Sequence, residues 1–202
     1  MSRVGIIDIG IGNIGSVVRA FDRLDIKHKL IKRSVDVADV GHLILPGVGN
    51  FDAVMKKLIH HGFDITLSKF VKSGNHLLGI CVGMQVLGQG SEEGFESGLN
   101  LIDGTCVEIK SNILTKKNKV VGWYKTTISK DIQISNITPE KGYYFVHGYE
   151  FKNTDKNANT ESIIGSNVTA IIQKENIIGF QFHPEKSNID GQRILKRFSE
   201  IV

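Results

Sequence analysis

The stretch that decides the fold is HLLGICVG at residues 76–83. Its apolar first half predicts a buried strand. The glycines two positions before and two after Cys81 give the G-x-nucleophile-x-G pattern, in which a strand turns sharply into a helix. Such a turn exposes the cysteine sulfur at the carboxyl edge of a sheet, so the stretch predicts a strand that ends in a reactive thiol.

Cys81 has two interpretations. As a nucleophile, its thiolate would be stabilised by the positive amino terminus of the following helix, and the amide of Val82 would point to where an oxyanion forms. As a core residue, it would be a small buried thiol, since free cysteine is among the most buried residue types. Cys106, in the alternating TCVEI at 105–109, fits the second interpretation.

The base that a thiol nucleophile needs is supplied by FHPE at residues 182–185, at the end of another apolar run. In an extended segment, residues two apart share a face, so Glu185 can accept a hydrogen bond from one nitrogen of His183 while the other faces Cys81. Pro184 fixes one backbone dihedral between them. Zinc deaminases that use His-x-Glu also need Pro-Cys-x-x-Cys, which this chain lacks, so no metal is expected.

A third strand end carries PGVGN at residues 46–50. Gly47 and Gly49 allow a peptide plane to rotate at low cost, so this segment is able to present a backbone N–H to an oxyanion. A plain turn is the alternative. Thiol, imidazole with carboxylate, and a glycine-rich donor segment at three strand ends together favour nucleophilic catalysis.

The order of apolar segments predicts an α/β fold. Val- and Ile-rich runs alternate with helical periodicity through the first half, which is typical of a parallel sheet covered by helices. From residue 105 onward strands follow one another, so an antiparallel or mixed sheet is expected there, within a single domain spanning residues 1–202. The predicted strands are 3–9, 27–31, 42–45, 76–80, 106–109, 143–146, 168–173 and 177–182. The predicted helices are 16–24, 51–60, 63–73 and a last one from Gly191, with Ile201 and Val202 facing the core. The polar KNTDKNANTE at 152–161 is interpreted as a solvated loop.

Composition excludes several classes of protein. With 41% hydrophobic and 23% charged residues, the 202-residue chain fits a soluble globule better than a disordered tail or a rod. Its net charge of +4 is too small and too evenly spread to indicate nucleic acid. No stretch approaches a membrane span of about 18 apolar residues. The two cysteines suit a reducing compartment, so the cytoplasm is expected.

The glycines at the N-terminus have a second possible function. Gly10, Gly12 and Gly15 form G-x-G-x-x-G between a predicted strand and a predicted helix, which is the spacing of a dinucleotide pyrophosphate site. The bases Lys32 and Arg33 at the end of the second strand would favour NADP, so an NADP-binding oxidoreductase is an alternative of another class. Equally, the glycines form a tight turn and Asn13 caps the helix.

Together these motifs resemble the HisH family, glutaminase subunits within the class I glutamine amidotransferases, over nearly the whole chain. The resemblance rests on five segments: DIGIGN (8–13), PGVGNF (46–51), GICVGMQ (79–85), YFVHGY (144–149) and GFQFHPEKS (179–187). It implies a flavodoxin-like α/β fold with a mostly parallel central sheet flanked by helices, and glutamine hydrolysis without a cofactor. It also assigns the first glycine turn to the family signature.

The resemblance implies a role for each matching residue. Cys81 would attack the side-chain amide of glutamine, His183 would act as general base and then acid, and Glu185 would orient the imidazole. Backbone amides near Val48 and Val82 would form the oxyanion hole. Glutamine would be bound by Gly49, Gln85, Glu93, His147, Gly148 and Tyr149, and a partner subunit would be contacted by Asn13, Trp123 and Lys186.

The family resemblance also implies a partner, because free ammonia is lost to water. This would be a (β/α)8-barrel cyclase of the HisF type, forming a heterodimer in histidine biosynthesis. Typical HisH chains read PHxGWN where this chain has KVVGWY (119–124), and His-Ser-Tyr where it has His147-Gly148-Tyr149. The changes leave open a HisH-like paralogue that supplies ammonia to another synthase, such as one that aminates surface-polysaccharide sugars. A catalytically inert docking protein is a further alternative.

Overall fold

The structure of the chain is a computed structural model that describes residues 4–110, 118–135 and 139–202. Strands and helices alternate in the first half, and strands dominate the second half until a final helix. The strands are β1 (Val4–Ile7), β2 (His28–Ile31), β3 (His42–Gly47), β4 (His76–Cys81), β5 (Gly90–Ser91), β6 (Gly104–Glu108), β7 (Val120–Tyr124), β8 (Tyr143–His147), β9 (Tyr149–Asn153), β10 (Asn159–Ser162), β11 (Thr169–Lys174) and β12 (Ile177–Phe180). The α-helices are α1 (Ile14–Arg23), α2 (Phe51–His60), α3 (Phe63–Lys72), α4 (Val82–Gln85) and α5 (Asn188–Ser199), and 3-10 helices span Ser34–Asp39 and Pro184–Lys186.

The central sheet has the strand order β10-β11-β12-β4-β3-β1-β2. Strands β2, β1, β3, β4 and β12 run parallel, whereas β11 runs antiparallel to β12 and β10 runs antiparallel to β11. β4 therefore lies between β3 and β12, with Gly47 opposite Cys81 and Phe180 opposite Ile80. Because parallel strands end at the same edge, the segments that follow these three strands meet there.

The core forms between this sheet and its helices. β1, β3, β4 and β12 are buried at nearly every position, as expected for a parallel sheet shielded from water. The helices turn one apolar side inward: α1 buries Val17 and Phe21, and α5 buries Ile194, Leu195 and Phe198. The predicted α/β class is confirmed. None of the helices that the structure describes has the length and apolarity needed to cross a bilayer.

Smaller sheets occupy the second half of the chain. β6 pairs antiparallel with β9 and parallel with the short β5, and β7 pairs antiparallel with β8 as a two-stranded ribbon. An isolated antiparallel bridge joins Tyr144 of β8 to His183, just beyond β12. The mixed sheet portion predicted from residue 105 onward is thus confirmed, and the bridge places the ribbon beside the end of β12.

The prediction of one solvated loop over residues 152–161 is wrong. β9 runs to Asn153, and β10 begins at Asn159 as the outermost strand next to β11. An edge strand has one neighbour and tolerates polar side chains, so composition did not reveal it. Between the two strands, the buried Asp155 forms an ion pair with Lys174, with 2.7 Å between Asp155 Oδ2 and Lys174 Nζ.

The ends of two other elements also differ from the prediction. β12 ends at Phe180 rather than at residue 182, and α5 begins at Asn188 rather than at Gly191. α5 ends at Ser199, and Val202 beyond it is exposed rather than part of the core. The segment between β12 and α5 therefore spans residues 181–187, and it contains His183 and Glu185.

Candidate active site

The elbow after β4 has the geometry that its sequence predicts. Cys81 ends β4 with φ 55° and ψ −113°, outside the regions that non-glycine residues normally adopt, and α4 begins at the next residue. A Cβ on Gly79 would collide with the carbonyl of Gly83, and a Cβ on Gly83 would collide with the carbonyl of Leu45. Backbone contact across the turn therefore requires both glycines.

The glycine-rich segment after β3 has two different requirements. Gly49 has φ 106°, and no described heavy atom outside its chain neighbours lies within 4 Å of where its Cβ would be, so conformation rather than space favours glycine. Gly47 approaches Val82 and Gly83 so closely that a Cβ would overlap their backbone. Glycine is thus favoured at position 49 by the backbone conformation, whereas at position 47 it is required by close packing against the elbow.

His183 and Glu185 form a buried pair next to Cys81. His183 Nδ1 donates a hydrogen bond to Glu185 Oε1 over 2.8 Å, and the side chains are only 2% and 3% exposed. The imidazole lies close enough to the Cys81 side chain for the two to interact and raise the pKa of His183, and both residues line the same cleft. The structure therefore brings together three side chains that the sequence places on two distant segments.

The backbone that makes this pair differs from the extended segment that we predicted. His183 itself is extended, but Pro184–Lys186 is a turn of 3-10 helix that begins directly after it. Proline suits the first position of a helical turn because its fixed φ is close to the helical value. The turn brings Glu185 back to the imidazole, so the predicted hydrogen bond forms through a different local structure.

Ser187 holds the segment that carries His183. Its hydroxyl donates to the His183 carbonyl over 2.6 Å and accepts from the Tyr144 N–H over 2.9 Å. The N–H of His183 donates to the Tyr144 carbonyl over 2.9 Å. Next to it, Phe182 stacks on Tyr143 with ring centroids 4.1 Å apart. β8 therefore positions His183 through hydrogen bonds and aromatic packing.

The surroundings of His183 favour its protonated form. Burial lowers the pKa of His183, but hydrogen bonds and charge interactions with Cys81 and Glu185 outweigh burial and raise the pKa to about 9. At neutral pH the imidazole is therefore positively charged beside the cysteine sulfur. A cation in this position is the arrangement that stabilises thiolate nucleophiles.

A cleft of about 610 Å³ lies where β3, β4 and β12 end, and its volume falls within the usual range for small-molecule sites, roughly 300–1,000 Å³. Glu185 lies behind His183 and Trp123 lies on the ribbon, so neither is part of the lining. All other predicted site residues line the cleft: Asn13, Val48, Gly49, Cys81, Val82, Gln85, Glu93, His147, Gly148, Tyr149, His183 and Lys186.

Glu93 is held in the cleft lining by the start of α2. The N–H of Phe51 donates to Glu93 Oε2 over 2.7 Å, as the first amides of a helix do for an anion. Asp52 accepts from the N–H groups of Phe95 and Glu96 over 3.0 Å each, which fixes the loop that carries Glu93. A carboxylate fixed in this way is suited to binding an ammonium group.

The carbonyl of Tyr149 orients two side chains of the cleft. It accepts hydrogen bonds from His147 Nδ1 over 2.8 Å and from Gln85 Nε2 over 3.2 Å. Since a carbonyl only accepts, His147 carries its proton on Nδ1, and the NH2 group of Gln85 is turned toward Tyr149. His147 Nε2 is buried without a hydrogen-bond partner among the described residues. The cleft wall thus contains an imidazole with a free lone pair.

The buried imidazole predicts a loss of stability in acid. Burial and the nearby charge of His183 lower the pKa of His147, the hydrogen bond to the Tyr149 carbonyl partly offsets them, and the resulting pKa is about 4, whereas the unfolded chain takes up this proton near pH 6.5. The stability that depends on neutral His147 is therefore fully present above pH 6.5 and falls toward pH 4. Relative to His147→Gln, we expect the free energy of unfolding to fall by about 2 kcal/mol more between pH 7.5 and pH 5. Urea denaturation of both proteins at each pH measures it, and parallel pH dependences would contradict a neutral buried His147.

Asn13 joins the first glycine turn to the cleft. Its side-chain oxygen accepts from the Ser16 N–H over 3.3 Å and caps α1, and Asn13 also lines the cleft. Gly10 and Gly12 have positive φ values of 69° and 98° and form the turn. Because Asn13 already occupies the helix N-terminus that a pyrophosphate would need, the geometry favours the capping interpretation over the dinucleotide site.

The β7–β8 ribbon has an exposed apolar surface at the mouth of the cleft. Val121, Trp123 and Val146 are 45%, 44% and 39% exposed, and Val121 lies opposite Val146. Val121, Val146 and Lys186 also line the cleft. Trp123 is therefore not a core residue, and it lies on a surface that continues into the site.

Gln181, Ser187 and Asn118 are among the residues of this region that sequence analysis missed. Gln181 Nε2 lies 3.9 Å from Cys81 Sγ, Ser187 holds His183, and Asn118 lines the cleft. The alternation in GFQFH contains a signal for Gln181, because residues 181 and 183 share one side of an extended chain. No spacing pattern connects Asn118 or Ser187 with the site.

Comparison with known proteins identifies the family. The family model "Glutamine amidotransferase class-I" matches residues 5–201. Imidazole glycerol phosphate synthase subunit HisH of Prochlorococcus marinus strain MIT 9211 is 38% identical over 198 residues, covering 96% of this chain and 92% of the relative. The protein of the same name from Bacillus subtilis strain 168 is 37% identical over 206 residues, covering 98% and 96%. The chain belongs to the HisH family of class I glutamine amidotransferases.

Solved structures agree with the fold of this HisH-family protein. A crystal structure of a glutamine amidotransferase has a TM-score of 0.74 at 17% identity, covering 98% of this chain and 97% of the other. A glutamine amidotransferase from Thermotoga maritima has a TM-score of 0.66 at 17% identity, covering 98% and 81%. The predicted fold is confirmed, and membership of the HisH family confirms the predicted enzyme class, a glutamine amidotransferase.

Proposed function

We propose that this HisH-family protein is the glutaminase subunit of an imidazole glycerol phosphate synthase, acting in histidine biosynthesis in the cytoplasm as one domain over residues 1–202. One observation carries the proposal: Cys81 at a strained elbow lies against the buried pair of His183 and Glu185, in a cleft of a size that suits an amino acid. The HisH relatives named above support it.

In the proposed mechanism, hydrolysis proceeds through a thioester. The thiolate of Cys81 attacks the carboxamide carbon of glutamine, and the carbonyl electron pair moves to the oxygen, which N–H groups at Val48 and Val82 stabilise. The intermediate collapses as the amide nitrogen takes the proton of His183 and leaves as ammonia. Neutral His183 then removes a proton from water, and the hydroxide attacks the thioester. Glutamate leaves, and the charged pair of His183 and Cys81 is restored.

Two acceptor groups in the cleft support recognition of the α-ammonium end of glutamine. Gln85 uses its NH2 group on the Tyr149 carbonyl and on Gln181 Oε1, so its own side-chain oxygen is the group left for a ligand. Glu93 supplies a carboxylate on the same lining. Both groups attract a cation. The α-carboxylate would then lie by the backbone of Gly148 and Tyr149.

The surface of the ribbon supports docking of a (β/α)8-barrel cyclase of the HisF type over the mouth of the cleft. Asn13 and Lys186 line this mouth and Trp123 lies beside it, so a partner that covers them keeps ammonia away from water. The KVVGWY segment that departs from typical HisH chains contains β7, which lies on this surface. That placement favours one second candidate, a paralogue with the same chemistry and another ammonia acceptor.

The test of the proposal combines labelling with turnover. A glutamine-analogue electrophile should modify Cys81 with one-to-one stoichiometry, glutamine should slow the reaction, and mass spectrometry should locate the label. Glutamate release should be small for the isolated chain and should rise strongly when the cyclase and its ligand are added. Labelling at Cys106 instead would refute the glutaminase assignment, and no glutamate release with the cyclase would refute the assignment to imidazole glycerol phosphate synthase.

Growth of a strain without its own glutaminase subunit separates the two acceptors. Expression of this chain should restore growth without histidine if it serves the synthase of histidine biosynthesis. Glutaminase activity without restored growth would favour the paralogue.

A further inference from the structure

The sulfur of Cys81 touches a second polar side chain besides His183. Gln181 is completely buried, and its Nε2 lies 3.9 Å from Cys81 Sγ, within hydrogen-bonding range for sulfur. It lies one residue beyond the end of β12, and its N–H donates to the Ala170 carbonyl of β11 over 2.9 Å. The position of Gln181 is therefore fixed by the central sheet.

A relay of hydrogen bonds fixes which end of the Gln181 amide faces the sulfur. The Tyr149 carbonyl accepts from Gln85 Nε2, and the same nitrogen donates to Gln181 Oε1, both over 3.2 Å. Because the Tyr149 carbonyl only accepts, the amide of Gln85 cannot be reversed. Gln181 must then turn its oxygen to Gln85 and its NH2 group to Cys81, so the sulfur receives a donor.

We propose that Gln181 is a further catalytic residue, whose side-chain N–H donates to the sulfur of Cys81 and supports its thiolate; this rests on the proposed role of Cys81 as nucleophile. Gln181 and His183 are two residues apart, so one short segment brings an amide donor and an imidazole to the same atom. Hydrogen bonds to a charged acceptor are the stronger kind, and burial strengthens them further. Two residues of the cleft lining, Gln85 and Tyr149, thereby orient the donor that supports the Cys81 thiolate.

The test measures alkylation of Cys81 by iodoacetamide in the purified chain, without glutamine, over a series of pH values. Gln181→Met removes the N–H donor and keeps the length of the side chain. At neutral pH we expect its alkylation rate to be about tenfold lower, with the profile moved up by about one pH unit. The thiolate is the form that reacts. A profile that superimposes on that of the unchanged protein would overturn the proposal.

Two further variants separate this effect from loss of stability. Gln181→Glu keeps the shape but places an oxygen near the sulfur, and a carboxylate there disfavours a thiolate, so alkylation should be slower still. Gln173→Met is the matched control: Gln173 is also buried, but bonds to the Gln133 N–H and the Glu175 carbonyl and does not line the cleft. The control should keep the unchanged profile, and an equal shift in it would overturn the proposal.

The relay itself is tested by coupling. Gln85→Leu should move the alkylation profile in the same direction by a smaller amount, and adding it to Gln181→Met should move the profile no further. Fully additive shifts would overturn the relay. Because glutamine is absent, a shift at Gln181 supports this inference even if glutamate release fails, in which case the proposed function alone is refuted.

Discussion

Replacement of Cys81 by alanine should lower glutamate release by the complex by roughly four orders of magnitude, because the covalent route depends on the sulfur. His183 and the cleft remain, but water would have to attack an unactivated amide. A coupled glutamate assay with the cyclase present measures the loss. The same complex should still form the synthase product from added ammonium salt, since the ribbon surface with Trp123, where we propose that the cyclase docks, is unchanged.

Cys106→Ala is the matched control for this loss. Cys106 is fully buried in β6, where burial raises the pKa of its thiol, and the thiol makes a weak hydrogen bond to the Gln85 carbonyl at 3.8 Å. We expect this variant to keep turnover within a few-fold of the unchanged protein. If Cys81→Ala kept most of its activity, or if Cys106→Ala alone lost it, the assignment of the nucleophile would be wrong.

Gly83→Ala should prevent the elbow from forming. The added Cβ would overlap the Leu45 carbonyl, and the backbones of Gly47 and Gly79 also lie close to Gly83. Because the overlap is with main-chain atoms, no flexible side chain is able to move aside. We expect a loss of about 3–5 kcal/mol in the free energy of unfolding, at the upper end of single substitutions. Chemical denaturation followed by tryptophan fluorescence measures it, since Trp123 is the single tryptophan.

Gly15→Ala is the control for the glycine variant. Gly15 lies within α1, and the nearest atoms to its added Cβ belong to the long side chain of Arg19, which is able to shift. Alanine is a better helix former than glycine, so we expect no loss or a gain of up to about 1 kcal/mol. Equal stability of the two alanine variants would show that the elbow tolerates a Cβ.

The parts of the site that depend on strand ends are predictable from the sequence. Cys81, Gly49 and His183 each follow closely on an apolar run, and the carboxyl ends of parallel strands share one edge, so their convergence follows from the fold class. The contact between His183 and Glu185 is also predictable, but its backbone is not. A spacing of two residues fits an extended chain and a 3-10 turn alike, and Pro184 suits both.

Other parts depend on contacts between distant elements, which local spacing does not contain. The edge strand β10 is polar, and its pairing with β11 rather than its composition makes it a strand. The hydrogen bonds that join Tyr149, Gln85 and Gln181 connect β9, α4 and the end of β12. Their geometry follows only once the sheets have been packed together.

The placement of β4 between β3 and β12 also has a consequence for the order of folding. β3 and β4 are near each other along the chain, but β12 joins β4 only after the intervening residues have been synthesised, and such non-local pairing is slow. Until then Cys81 lacks both His183 and Gln181. On the proposed mechanism, a nascent or partly folded chain therefore lacks the base and the amide donor beside its thiol, and glutamine hydrolysis would begin only when the sheet is complete.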